Sequence, residues 1–213
     1  IFIATHEWSK AKQYNTAVDA TNSRSLRIAQ ANMQIEAQKQ SSDTNITLIA
    51  ELAERYPVAI RPKYELAQQA LQVNEKALAK SALLYIAEHK PQWAADILPL
   101  LQQCNLAGEE WYQLLSHLAN KHNNITATVL LAAWLSEHGS ATAAEQFLLD
   151  KLTQQPSIRL FQQLLQIRQQ QSAPAAEVLS SVKELVNAYL DKKSLYGCRN
   201  CGFKTRKHYW LCP

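Results

Sequence analysis

Between Pro57 and Pro91 the apolar positions recur at helical spacing in two runs, Leu66, Ala67 and Ala70, then Ala79, Leu83 and Ile86. Residues three and four apart share one face of an α-helix, so each run predicts an amphipathic helix with one buried stripe. Small side chains at Ala67 and Ala79 let two such helices approach closely, with Leu83 and Ile86 filling the groove between them. A later stretch repeats the order: Leu131, Ala132 and Leu135, then Ala144, Leu148 and Leu152, with Gly139 placed for the turn between the helices.

Prolines punctuate these pairs. The step from Pro57 to Pro91 has the length of one helix-turn-helix repeat, and the step from Pro91 to Pro156 is close to twice as long. Proline removes a donor and crowds the preceding turn, so each marks the end of a helix. Trp8, Ala11 and Val18 read as the second helix of an incomplete repeat, followed by a pair over Leu26 to about Lys39 and Asn45 to Arg55. Residues 92–122 form a divergent pair, with Leu100, Leu101 and Cys104 on one helix and Trp111, Leu114 and Leu118 on the other. Segments 157–171 and 174–190 complete about five pairs. An unrelated helical bundle with coincidental proline spacing is the competing reading, and the recurring order of small and large positions favours the repeat. This register resembles the tetratricopeptide family over residues 1–190. The resemblance implies an all-α, right-handed superhelix of helical hairpins whose first helices line a concave, protein-binding face.

Composition supports helices. Only four glycines occur, and Gly197 and Gly202 both lie beyond Leu195, so the preceding part has little of the backbone freedom that tight β-turns use. The net charge of +4 is unevenly placed. Residues 191–213 hold Lys192, Lys193, Arg199, Lys204, Arg206 and Lys207 against Asp191, whereas basic and acidic side chains nearly balance over residues 1–190. The body thus offers no electrostatic surface for nucleic acid, and no apolar run long enough to cross a bilayer. A start at Ile1 without methionine and an end directly after a cysteine read as the two cut ends of a fragment.

The most specific chemistry is Cys198-Arg199-Asn200-Cys201-Gly202-Phe203, followed after a short connecting stretch by Cys212-Pro213. Two thiolates at this spacing share one ion because the short loop folds back, and Gly202 suits the positive torsion of that turn. Cys198, Cys201 and Cys212 are therefore the candidate metal ligands, three of the four thiolates that a tetrahedral rubredoxin-like or zinc-ribbon site needs. Zinc or iron fits such sulfurs. His208 is a weaker alternative for the fourth position, and three uncoordinated thiols are the bland reading. Cys104 sits on an apolar helix face and reads as core. The spacing favours a reducing compartment over a disulfide framework. Phe203, Tyr209 and Trp210 either cover the knuckle or join Lys204, Arg206 and Lys207 in a basic–aromatic patch of the kind some ribbons present to nucleic acid.

Helical repeats (1–190) followed directly by such a partial knuckle (191–213) narrow the field. The tail from Tyr196 to Pro213, the stretch Ala4–Ala11 and the run Pro156–Phe161 resemble the lipopolysaccharide assembly protein B (LapB, or YciM) family. The resemblance implies a membrane anchor preceding this stretch, with repeats and knuckle on the cytoplasmic side of a bacterial inner membrane. It also implies regulation of lipopolysaccharide synthesis by an adaptor that promotes FtsH-dependent degradation of LpxC. FtsH, LpxC and other lipopolysaccharide-assembly proteins are then the expected partners, with homo-oligomerisation as a further expectation.

An enzyme finds little support: there is no phosphate loop, nucleophile motif or His–Glu metal pair. Asp96, Glu109 and Glu110 read as solvated helix charges, and His6, His89, His117, His122 and His138 as surface or cap residues. A protein-binding scaffold is the leading expectation, a nucleic-acid-binding zinc ribbon on a helical scaffold the alternative.

Overall fold

The computed structural model describes residues 7, 10, 11, 13, 23–40, 45–106, 108–171 and 176–210, and in it the amphipathic runs are helices. Contacts divide the chain into two units, Ile1–Leu106 and Ala107–Pro213. The first holds α1 (Arg24–Gln40), α2 (Ile46–Arg55), α3 (Ile60–Gln72), α4 (Lys76–His89), a 3-10 turn (Pro91–Trp93) and α5 (Ala94–Gln103). The second holds α6 (Gly108–Lys121), α7 (Ile125–His138), α8 (Ala141–Gln154), α9 (Ile158–Gln171), α10 (Ala176–Lys192) and a short hairpin of β1 (Tyr196–Gly197) and β2 (Lys204–Thr205). No helix among the described residues is long and apolar enough to cross a membrane.

The proline register is a repeated backbone structure. Pro57, Pro91 and Pro156 each stand just past the end of a helix, α2, α4 and α8, with one cap residue between. The intervening caps adopt closely similar torsions: Tyr56 at φ −120°, ψ 65°, Lys90 at −144°, 64° and Gln155 at −141°, 86°. A residue before proline is pushed out of the helical region, and here each cap does so while its N–H still bonds the carbonyl four residues back. The double spacing between Pro91 and Pro156 leaves one stop without a proline. Asn123, at φ 47°, ends α6 there. Asn124 then caps α7, its Oδ1 accepting from the Ala127 N–H at 3.0 Å.

Asparagine supplies two further stops that glycine would ordinarily make, Asn74 at φ 62° after α3 and Asn105 at φ 55° after α5. At Asn74 the closure is complete: Glu75 N–H bonds Ala70 O at 2.7 Å and Asn74 N–H bonds Leu71 O at 3.2 Å. Gly139 stands at the turn between its helices without a left-handed torsion. Its φ is −125°, and its reason is space, since a Cβ there would lie 3.0 Å from the Leu135 carbonyl oxygen.

Successive helices pack against one another from α2 to α5 in the first unit and from α6 to α10 in the second, and alternate ones meet as well: α1 with α3, α3 with α5, and α7 with α9. Stacked hairpins have this contact pattern, because each first helix touches its own partner and the first helix of the next hairpin. Most of the expected interior residues are in place, with Leu66, Ala67, Ala70, Ala79, Leu83 and Ile86 buried in the first unit and Leu131, Ala132, Ala144 and Leu148 in the second, whereas Leu135 and Leu152 are only partly buried against that core. Ala11 is buried too, while Trp8 and Val18 lie outside the described residues. In the divergent stretch the buried stripe runs through Ala94, Ile97, Leu98 and Leu101, so Leu100 is off the stripe; on α6 it is Leu115, with Leu118, that is fully covered rather than Leu114.

Candidate functional site

Tyr196 pairs with Thr205 and Gly197 with Lys204, antiparallel, which brings the chain back on itself around the first cysteine pair. The loop is closed by two backbone bonds, Cys198 N–H to Phe203 O at 2.8 Å and Gly202 N–H to Cys198 O at 3.0 Å. Gly202 has φ 75°, the left-handed torsion expected directly after the second cysteine. Cys198 is half-buried, Cys201 is exposed, and neither is in a disulfide. A tight turn carrying two thiols at its two ends is a donor set that fits a thiophilic ion such as zinc or iron. Cys212 lies outside the described residues, and among those described no group of three or more His, Cys, Asp or Glu side chains gathers as a metal site. The His208 ring stands edge-on to Tyr196 at 5.4 Å and to Trp210 at 4.8 Å, an aromatic packing role.

Cys104 is buried, and its Sγ donates to the Leu100 carbonyl at 3.4 Å. Burial pushes this thiol up from its ordinary value, ahead of the opposing pull of Lys76 and Lys80, so it stays protonated and inert at neutral pH. His89 and His138 each direct Nδ1 at the carbonyl four residues back, Tyr85 at 2.9 Å and Trp134 at 3.1 Å, in the last turns of α4 and α7. They are the cap residues their positions suggest.

A groove opens between the first helices α7 and α9. Ser136, Glu137, Gln163, Gln166 and Gln170 line it with Ile167 at its base. Side-chain amides both donate and accept, so this lining offers hydrogen bonds of both kinds. The equivalent helices of the first unit are joined by charge instead. Arg61 of α3 bonds Glu36 of α1, Lys39 of α1 lies 2.7 Å from Glu65, and Gln34 donates to the Tyr56 hydroxyl at 2.8 Å. Periodicity does not find this network; its one sequence signal is the opposite-charge pair Arg61–Glu65, four residues apart beside the apolar stripe of α3.

Fold and tail together define the class: an all-α chain of stacked helical hairpins that closes on a two-stranded cysteine hairpin. No family model matches the chain. Along its whole length it is similar to lipopolysaccharide assembly protein B of Escherichia coli strain K12, at 23% identity over 223 residues. The protein of the same name from Haemophilus influenzae is 24% identical over 229 residues. The chain spans 57% and 56% of the length of these relatives. The resemblance to the lipopolysaccharide assembly protein B family thus runs through the middle of the chain as well as its ends.

Proposed function

We propose that this chain is the repeat and knuckle portion of a non-enzymatic adaptor in lipopolysaccharide assembly, one that promotes FtsH-dependent proteolysis of LpxC by holding protein clients. The observation that carries the reading is its similarity, over the whole chain, to proteins named for lipopolysaccharide assembly. The stacked hairpins and the amide-lined groove between α7 and α9 support it, because such a groove holds a client segment through backbone hydrogen bonds rather than chemistry. No catalytic residue is assigned.

In this reading Cys198, Cys201 and Cys212 hold one zinc or iron ion in a rubredoxin-like module, with a fourth ligand beyond these three. The ion's contribution is folding energy for a hairpin too small to have a core of its own. The parent protein then sits at the cytoplasmic side of the inner membrane, and nucleic acid is not among its ligands.

The test is LpxC turnover in cells whose only copy of the parent protein carries Gln166→Arg with Gln170→Arg. Both side chains are exposed, so the fold is kept. LpxC should persist longer and co-purify less with the protein. An LpxC half-life that ignores loss of the whole parent gene would remove the proposal.

A further inference from the structure

Five of the ten exposed large apolar side chains among the described residues fall between Leu185 and Tyr209: Leu185, Tyr189, Leu195, Phe203 and Tyr209. On α10, Leu185 and Tyr189 are followed at helical spacing by Lys192, and Lys193 comes directly after the helix, so apolar and basic groups form one continuous outer stripe. The inner side of that helix is already used, with Val186 buried and Asn187 bonded to Gln162 of α9. The stripe is therefore not a core face that has been misplaced.

We infer that the outer stripe of α10 and the adjoining hairpin form a peripheral docking surface for an anionic lipid bilayer. The charge complements such a surface. Lys192, Lys193, Arg199, Lys204 and Lys207 are exposed, and the acid among them, Asp191, is engaged by Arg206, which bonds its carbonyl and lies 3.5 Å from its carboxylate. The Lys193 ammonium lies 4.8 Å over the Tyr189 ring, a cation–π contact that joins the basic and apolar groups of the stripe. Basic residues beside leucine and tyrosine suit the headgroup boundary, where apolar groups enter the acyl edge and cations meet lipid phosphates.

The same chemistry discriminates against RNA. Leu185 is 72% exposed and Leu195 46%, and aliphatic groups give nothing to a phosphate backbone. The hairpin rings also meet edge to face, Phe203 on Tyr209 at 71° and His208 on Trp210 at 87°, rather than standing as an open row of parallel platforms on which bases stack. This inference is independent of the adaptor reading.

The experiment is co-sedimentation of the purified full chain with phosphatidylcholine vesicles, alone or containing about a third phosphatidylglycerol. Binding is expected only to the anionic vesicles. It should fall at least about tenfold in the K192E/K193E/K207E variant and at about half-molar salt. A second variant, L185S/Y189S, should bind several-fold more weakly while keeping its salt dependence. All five positions are exposed, and unchanged helical circular dichroism checks the fold. Equal binding to neutral and anionic vesicles, indifference to both variants, or tight binding to a single-stranded oligoribonucleotide with vesicles ignored would each overturn the inference.

Discussion

The Lys39 ammonium of α1 lies 2.7 Å from the Glu65 carboxylate of α3, whose side chain is only 6% exposed. That carboxylate also stands 3.5 Å from Arg61 Nε, and Arg61 reaches back to Glu36 of α1. Two acids and two bases thus join successive first helices at a place where an apolar contact would ordinarily serve. Removing one member of a buried charged set leaves its partner uncompensated, so Glu65→Ala should cost about 3 kcal/mol. Lys39 keeps 43% of its surface, and Lys39→Met should cost no more than about 1 kcal/mol. Urea unfolding of the two variants compares them directly; equal losses would mean that the network is not buried in solution.

The left-handed asparagines give a second contrast. Asn74 holds φ 62° in a complete helix-stop motif. Asn74→Gly places the residue that fits this torsion best, and should be neutral or stabilising by up to about 0.5 kcal/mol. Asn74→Val puts a branched side chain where left-handed backbone costs roughly 1–2 kcal/mol, and the denaturation midpoint should fall accordingly. If glycine and valine shifted the midpoint alike, α3 would end by another conformation.

These two cases also mark what the sequence reveals and what it hides. The helices are legible because their stripes recur at a fixed period and because three prolines stop them in the same way, at Pro57, Pro91 and Pro156. The stop at Asn123 is hidden, since asparagine in a polar turn is common and only its torsion shows its use. The Arg61–Glu65 pair is hidden for a related reason: four-residue charge spacing ordinarily decorates a solvated face, and only the packing of α1 against α3 turns it inward. At the tail, Gly202 after the second cysteine foretells the turn. The three cysteines are not brought together among the described residues, because Cys212 lies outside them.

Alkaline stability should carry the signature of Tyr64. Burial first, then the negative charges of Asp96 and Glu65, holds this phenol above its ordinary 10.0. The folded chain therefore keeps the proton more tightly than the unfolded chain. The stability this gives is complete below 10.0 and is lost as pH rises through the higher folded value. Melting temperature should drop across that alkaline window, and Tyr64→Phe should flatten the drop while leaving neutral-pH stability nearly unchanged. Titration of phenolate absorbance provides the check: a Tyr64 that ionises together with the exposed tyrosines would contradict the assignment.

Metal content separates the two cysteine environments among the described residues. Cys198 and Cys201 share one closed turn, whereas Cys104 is a protonated thiol held against the Leu100 carbonyl inside α5 and its neighbours. If the turn binds an ion, Cys198→Ser and Cys201→Ser should each abolish bound zinc or iron in the purified parent protein, and Cys104→Ala should leave the stoichiometry intact. The consequence of metal loss should also be local. The hairpin has only a two-residue ladder, so without an ion its backbone bonds are too few to hold it, while the helices keep their own buried stripes. A chelator should therefore change tryptophan fluorescence through Trp210, which stacks edge-on with His208, and leave helical circular dichroism almost untouched. Helical signal lost in parallel with the metal would instead mean that the ion stabilises the repeats themselves.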